Sequence, residues 1–179
     1  MRVDGHLPGR PCVLVANHAS HADTAALIAA LPARRRPVIA AAADYWFGGS
    51  VRTAACRALA AAFPVRRDGG GSDDLASAAA MLAAGRDVIV FPEGTRTRDG
   101  SIGVFRSGAE RLARRAGAPL VPVGIAGTHD LLPVHGRLRR GRITVRMGDP
   151  VPGIAAARTA VAELAAAPAS RRADRRAAG

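Results

Sequence analysis

Six short apolar runs recur along this chain: Cys12–Ala16, Pro37–Ala41, Ala62–Val65, Asp87–Phe91, Leu120–Ile125 and Ile143–Met147. Helical patterns separate them, at Thr24–Leu31, Phe47–Ala60, Asp73–Ala84 and Gly108–Ala116, with a further one at Ile154–Ala166. Alternation of strand-like and helix-like segments points to an α/β fold with a mixed, largely parallel sheet flanked by helices. Gly85 and Gly117 are placed to cap helices before the next strand. The loop RDGGGSDD ends in a candidate N-cap, Ser72 or Asp73.

A chain of 179 residues is long enough for one well-buried core and short for two. We therefore expect a single domain over residues 1–167. The remainder, PASRRADRRAAG at 168–179, has no apolar period and reads as a disordered basic tail. Aromatic residues make up only 3% of the chain, so the core must be closely packed and low in bulk.

The net charge is +12, and every basic residue other than histidine is arginine. Such an excess favours anionic partners: phosphates, acidic lipid headgroups or nucleic acid. A lysine-free composition also arises from genomic base bias, so charge alone does not choose among them. Cys12 and Cys56 sit in separate apolar settings and read as core thiols in a reducing compartment, not as a disulfide or metal pair. No signal peptide is visible, and no uncharged apolar run reaches the roughly 18 residues a bilayer span requires. A soluble or peripheral protein is expected.

In open α/β sheets, ligands sit beyond the carboxyl ends of the strands. Three polar clusters fall there: NHASHAD after Ala16, RRD after Val65 and PEGTRTRDG after Phe91. The first holds Asn17, the only asparagine in the chain. If the turn closes into the following helix, Asp23 faces back toward the His18 imidazole. A carboxylate on one ring nitrogen fixes the tautomer and leaves the other nitrogen free as a base. The plainer alternative is that Ser20 or Asp23 caps the helix and His18 is a loop histidine. A third reading takes His18, His21 and Asp23 as ligands of a metal-dependent hydrolase, with His129 and Asp130 as further candidates. Their spacing does not match the usual metal-binding turn. Ser20 lacks the elbow motif of a serine nucleophile. In the third cluster, Thr95 and Arg96 offer a hydroxyl and a guanidinium fork suited to a phosphate, while Glu93 could orient an arginine or a substrate hydroxyl.

Taken together, the clusters resemble those of the glycerolipid acyltransferases, the 1-acylglycerol-3-phosphate acyltransferases and their relatives. NHASHAD is similar to the family's N-H-x-S-x-x-D block, with His18 and Asp23 in the catalytic positions. FPVRR resembles the second block, in which Arg67 best fits the arginine. FPEGTRTR matches F-P-E-G-T-R-S, with Thr97 for the usual serine, and FRSG resembles the F-K-x-G that often follows. VPVGI resembles the fourth block, centred on Pro122. The resemblance covers Pro11 to Pro152. Arg66 departs from it, standing where an acidic or small residue is common. Only ten residues precede Pro11, too few for the family's usual N-terminal docking helices. A shorter lipid platform or a start further upstream is implied.

The resemblance implies acyl transfer in phospholipid biosynthesis. The donor would be acyl-CoA or acyl carrier protein, and the acceptor a lysophospholipid such as 1-acylglycerol-3-phosphate. His18 would be the base and Asp23 its orienting partner. Asn17, Ser20, Arg67, Glu93, Gly94, Thr95, Arg96 and Pro122 would form the substrate-binding surroundings, with Asn17 and Ser20 bracing the turn. No metal and no cofactor is implied. The protein is expected in the cytoplasm, peripheral on the inner face of the cell membrane and drawn to its anionic surface. A basic nucleic-acid-binding module is the non-enzymatic alternative. The scarcity of aromatics and the lack of a recognition motif speak against nucleic acid.

Overall fold

A computed structural model describes residues 1–42, 63–65, 72–133 and 137–167. One seven-stranded sheet runs through it. The strands are β1 (Arg2–Asp4), β2 (Val13–Ala16), β3 (Val38–Ala42), β4 (Phe63–Val65), β5 (Val88–Val90), β6 (Leu120–Ala126) and β7 (Thr144–Met147). They lie in the order β1-β7-β6-β2-β5-β3-β4. All neighbours are parallel except β6 and β7. The helices are α1 (Ala22–Ala30), α2 (Ser72–Ala83), α3 (Gly108–Ala116), α4 (Thr128–Leu131) and α5 (Ile154–Ala166).

The fold is the expected mixed, largely parallel α/β sheet. Two elements escape the sequence reading: β1 has only three residues and no apolar run, and α4 is a single turn. Helix α2 begins at Ser72, so Ser72 and Asp73 lie within its first turn instead of before it. Gly117 caps α3 in the left-handed conformation, as expected, and Gly85 takes the same region. The helix expected at Phe47–Ala60, Cys56, Arg66, Arg67 and the tail 168–179 lie outside the described residues.

Side chains alternate across the central strands. Leu14, Ala16, Ile89, Val121 and Val123 pack on one face with Ala26, Leu27 and Leu31 of α1 and its end. Val13, Val15, Val88 and Leu120 pack on the other with α2, α3 and α5. Because helices cover both faces, β2 is buried at every position and its sequence is uniformly apolar. Gly124 lets α5 approach β6: a Cβ there would stand 2.4 Å from the Ala165 nitrogen, so no larger residue fits.

The sheet edge away from the polar clusters is closed by a buried ion pair. Asp87 takes both Nε and Nη2 of Arg35, at 2.6 and 2.7 Å, and the Cys12 N–H at 3.0 Å. Arg35 also donates to the carbonyls of Pro8 and Arg10. These bonds join the starts of β2, β3 and β5 to the chain that precedes them. Burial, followed by the Asp87 charge, pushes the Cys12 thiol up to about 12.

Candidate active site

Neighbouring strands β2 and β5 end side by side, which brings the first and third clusters together. The chain leaves β2 at Asn17. Its amide donates to the Ile125 carbonyl at 2.9 Å and accepts the Ile125 N–H at 2.8 Å, extending the β2–β6 ladder through a side chain. The turn that follows folds onto Asp23, a fully buried residue in the first turn of α1. Asp23 Oδ2 accepts the N–H groups of Ala19 and Ser20, each at 2.8 Å. The same oxygen lies 2.9 Å from His18 Nδ1. A carboxylate oxygen can only accept, so Nδ1 carries the proton and Nε2 keeps its lone pair. The other oxygen, Oδ1, is buried with no hydrogen-bond partner among the described residues.

Two further contacts fix the imidazole. Its ring stacks on Phe91 with centroids 4.1 Å apart and planes at 19°. The His18 N–H donates to Glu93 Oε1 at 2.8 Å, while Glu93 Oε2 accepts the Gly103 N–H at 2.9 Å. Burial raises the Glu93 carboxyl above its ordinary range, and the Gly103 and His18 N–H groups pull it partly back. The His18 carbonyl in turn accepts the Thr97 N–H at 3.0 Å. The His18 side chain remains 16% exposed.

The geometry also places the other expected site residues. Glu93 has both oxygens on backbone N–H groups and so positions the His18 turn. Asn17 is spent on Ile125. The Ser20 hydroxyl donates to the Leu132 carbonyl at 2.6 Å and accepts the Ala22 N–H at 3.0 Å. Through these bonds Asn17 and Ser20 brace the turn. Pro122 is buried within β6 beside Val15, where its carbonyl accepts the Gly148 N–H. Gly94 is part of the strand exit, with φ +73°, and a Cβ there would sit 3.3 Å from the Arg106 guanidinium carbon. Thr95 is exposed and Arg96 half-buried at the same turn. The Arg96 guanidinium lies against the His21 ring. Among the described residues no group of three His, Cys, Asp or Glu side chains is arranged to hold a metal ion. Of the residues in the metal reading, His18 and Asp23 contact one another, and His21 faces Arg96.

Phe91 and Arg106 are further neighbours of the site. Both fall in motifs quoted above, FPEGTRTR and FRSG, although the motif reading gave neither a role.

The family model for Acyltransferase matches residues 2–126. The chain belongs to the acyltransferase family. The chain is 35% identical over 148 residues to the 1-acyl-sn-glycerol-3-phosphate acyltransferase alpha of Bos taurus, covering 81% of this chain and 50% of that one. The human protein of the same name is 34% identical over 148 residues, covering 81% of this chain and 51% of that one. The chloroplastic 1-acyl-sn-glycerol-3-phosphate acyltransferase BAT2 of Brassica napus is 37% identical over 75 residues, covering 41% of this chain and 22% of that one. The chain thus spans about half the length, or less, of these curated relatives. Its fold is similar to the crystal structure of the 1-acyl-sn-glycerophosphate acyltransferase PlsC from Thermotoga maritima. The TM-score is 0.68 with 28% identity, and the match covers 92% of this chain and 68% of that one. No helix among the described residues is long and apolar enough to cross a membrane.

Proposed function

We propose that this chain transfers a fatty acyl group from an acyl thioester, acyl-CoA or acyl carrier protein, to the free hydroxyl of a lysophospholipid. The acceptor in this reading is 1-acylglycerol-3-phosphate. The observation that carries it is the contact of His18 Nδ1 with Asp23 Oδ2, which leaves Nε2 as a base in a half-open turn. Relatives named for that acceptor support the choice of substrate.

In the proposed reaction Nε2 takes the hydroxyl proton as the oxygen attacks the thioester carbonyl carbon. The C–O bond forms, and the C–S bond breaks as the intermediate collapses. The thiolate leaves and recovers the proton from the imidazolium, so a free thiol and an ester are the products. The Asp23 carboxylate stabilises the imidazolium between the two steps. No electrons are exchanged, so the scheme calls for no cofactor. Thr95 and Arg96, with Arg67 of the second cluster, would hold the acceptor's phosphate. The enzyme would work peripherally on the cytoplasmic face of the cell membrane, within phospholipid synthesis.

The test is product analysis. Purified protein is incubated with labelled acyl-CoA or acyl carrier protein and a panel of lysophospholipids. Labelled phosphatidic acid from 1-acylglycerol-3-phosphate is expected. Release of free fatty acid with no acylated lipid would identify a thioester hydrolase and sink the proposal.

A further inference from the structure

The chain between α4 and β7 carries an unusual surface. Arg137, Arg139, Arg140 and Arg142 are all exposed, and Leu138 in their midst is 72% exposed. Among the described residues, no carboxylate forms an ion pair with any of these four arginines. The segment is held in shape from behind: the Arg139 N–H donates to the Leu131 carbonyl at 2.8 Å, and Gly141 packs on the Leu131 side chain. A leucine presented to water by an anchored loop, ringed with cations, is a poor arrangement for a merely solvated turn.

Topology places this loop beside the site. Strand β6 ends, and antiparallel β7 begins, at the same edge of the sheet at which β2 ends in the His18 turn. The Ser20–Leu132 hydrogen bond ties that turn to the root of the loop. Val104, 81% exposed, stands at the same edge, next to Gly103, which Glu93 holds. Apolar tips and these arginines thus lie at the sheet edge that carries the His18 turn.

We propose that residues 137–142 are the contact by which this protein lies on an anionic lipid bilayer, with Leu138 entering the headgroup–acyl boundary and the four arginines on lipid phosphates. Arginine fits this position because its stem packs against apolar surface while its fork reaches phosphate oxygens. The choice of a bilayer rests on the acyl-transfer reading, since the acceptor and product of that reaction are membrane lipids. The site would then face the surface that supplies the one and receives the other.

The test uses the full chain and a Leu138→Ser/Arg139→Ser/Arg140→Ser variant, with melting temperatures compared to establish that both fold. Sedimentation is measured with vesicles of equal parts phosphatidylglycerol and phosphatidylcholine, and acyl transfer with acceptor dispersed in neutral detergent. Vesicle binding should weaken about fivefold for each arginine removed and about tenfold for the leucine. Turnover in detergent should be unchanged. Unaltered vesicle binding by the triple variant would overturn the proposal. So would loss of binding on deleting residues 168–179 while the triple variant binds normally. Loss of oligonucleotide retention with vesicle binding intact would make the loop a nucleic-acid contact and equally overturn it. A wild-type protein that binds vesicles through this loop yet transfers no acyl group would keep the docking surface and remove the acyl-transfer reading.

Discussion

Glu93 holds the backbone N–H of His18 at 2.8 Å, so a residue at the end of β5 positions the base at the end of β2. Its second oxygen holds Gly103 at 2.9 Å. One buried carboxylate therefore joins the His18 turn to the loop that follows Arg98. Glu93→Gln keeps the volume but sets an NH2 against one of two N–H donors. A buried group left unsatisfied costs about 1–3 kcal/mol, and that loss of stability is expected in chemical denaturation. The raised Glu93 pKa gives the effect a sign. A carboxyl whose folded pKa exceeds its unfolded value contributes most below the unfolded value, and that contribution fades as pH rises through the folded one. The deficit of Glu93→Gln should therefore be larger near pH 4 than at pH 8. A deficit that grows with pH would show that the two N–H groups outweigh burial in setting the Glu93 pKa.

Asp23→Asn should preserve the tautomer and still lose activity. The N–H groups of Ala19 and Ser20 both point at Oδ2, so an asparagine must place its carbonyl oxygen there and its NH2 at the Oδ1 position. The carbonyl still accepts from Nδ1. What disappears is the negative charge that stabilises the imidazolium. Turnover should fall, by less than the roughly 10²–10⁴-fold lost with the base itself. NMR of the His18 ring should show the proton still on Nδ1. A proton moved to Nε2 would mean that the amide had turned over.

Arg96→Ala should weaken acceptor binding roughly ten- to a hundredfold, the worth of one charge-assisted hydrogen bond. The loss should be confined to acceptors that carry a phosphate. Equal losses on a phosphate-free acceptor would show that Arg96 serves the fold through its contact with His21.

Cys12 should be inert in the native protein. Its thiol is fully buried, beside Asp87, and pushed up to about 12, so almost no thiolate exists at pH 8. Peptide mapping after iodoacetamide treatment should find Cys12 unmodified in native protein and fully modified in denaturant. Prompt native labelling would show that the Arg35–Asp87 closure opens readily.

Much of this arrangement was legible in the sequence because it depends on strand order and local turns. The runs VLVA and VIV are continuously apolar since helices cover both faces of β2 and β5. The four-residue gap between His18 and Asp23 is short enough to close within one helix entry. Bonds that cross between distant segments were not legible. Nothing local tells that Asn17 would reach Ile125, that Ser20 would reach Leu132, or that Glu93 would turn inward to two backbone N–H groups. A polar residue at a strand exit looks the same whether it binds a ligand or a neighbouring loop. Pro122 shows the same limit: its motif marks a position that the fold buries beside Val15.

The claim on which the rest depends is that His18 Nε2 is the base, and turnover of a folded His18→Ala variant tests it most directly. Wild type and variant are compared by labelled acyl-CoA transfer to 1-acylglycerol-3-phosphate, with matched circular dichroism and melting curves. The geometry predicts a fall of roughly 10²–10⁴-fold in kcat. A correctly folded His18→Ala protein that turns over at the wild-type rate would contradict it.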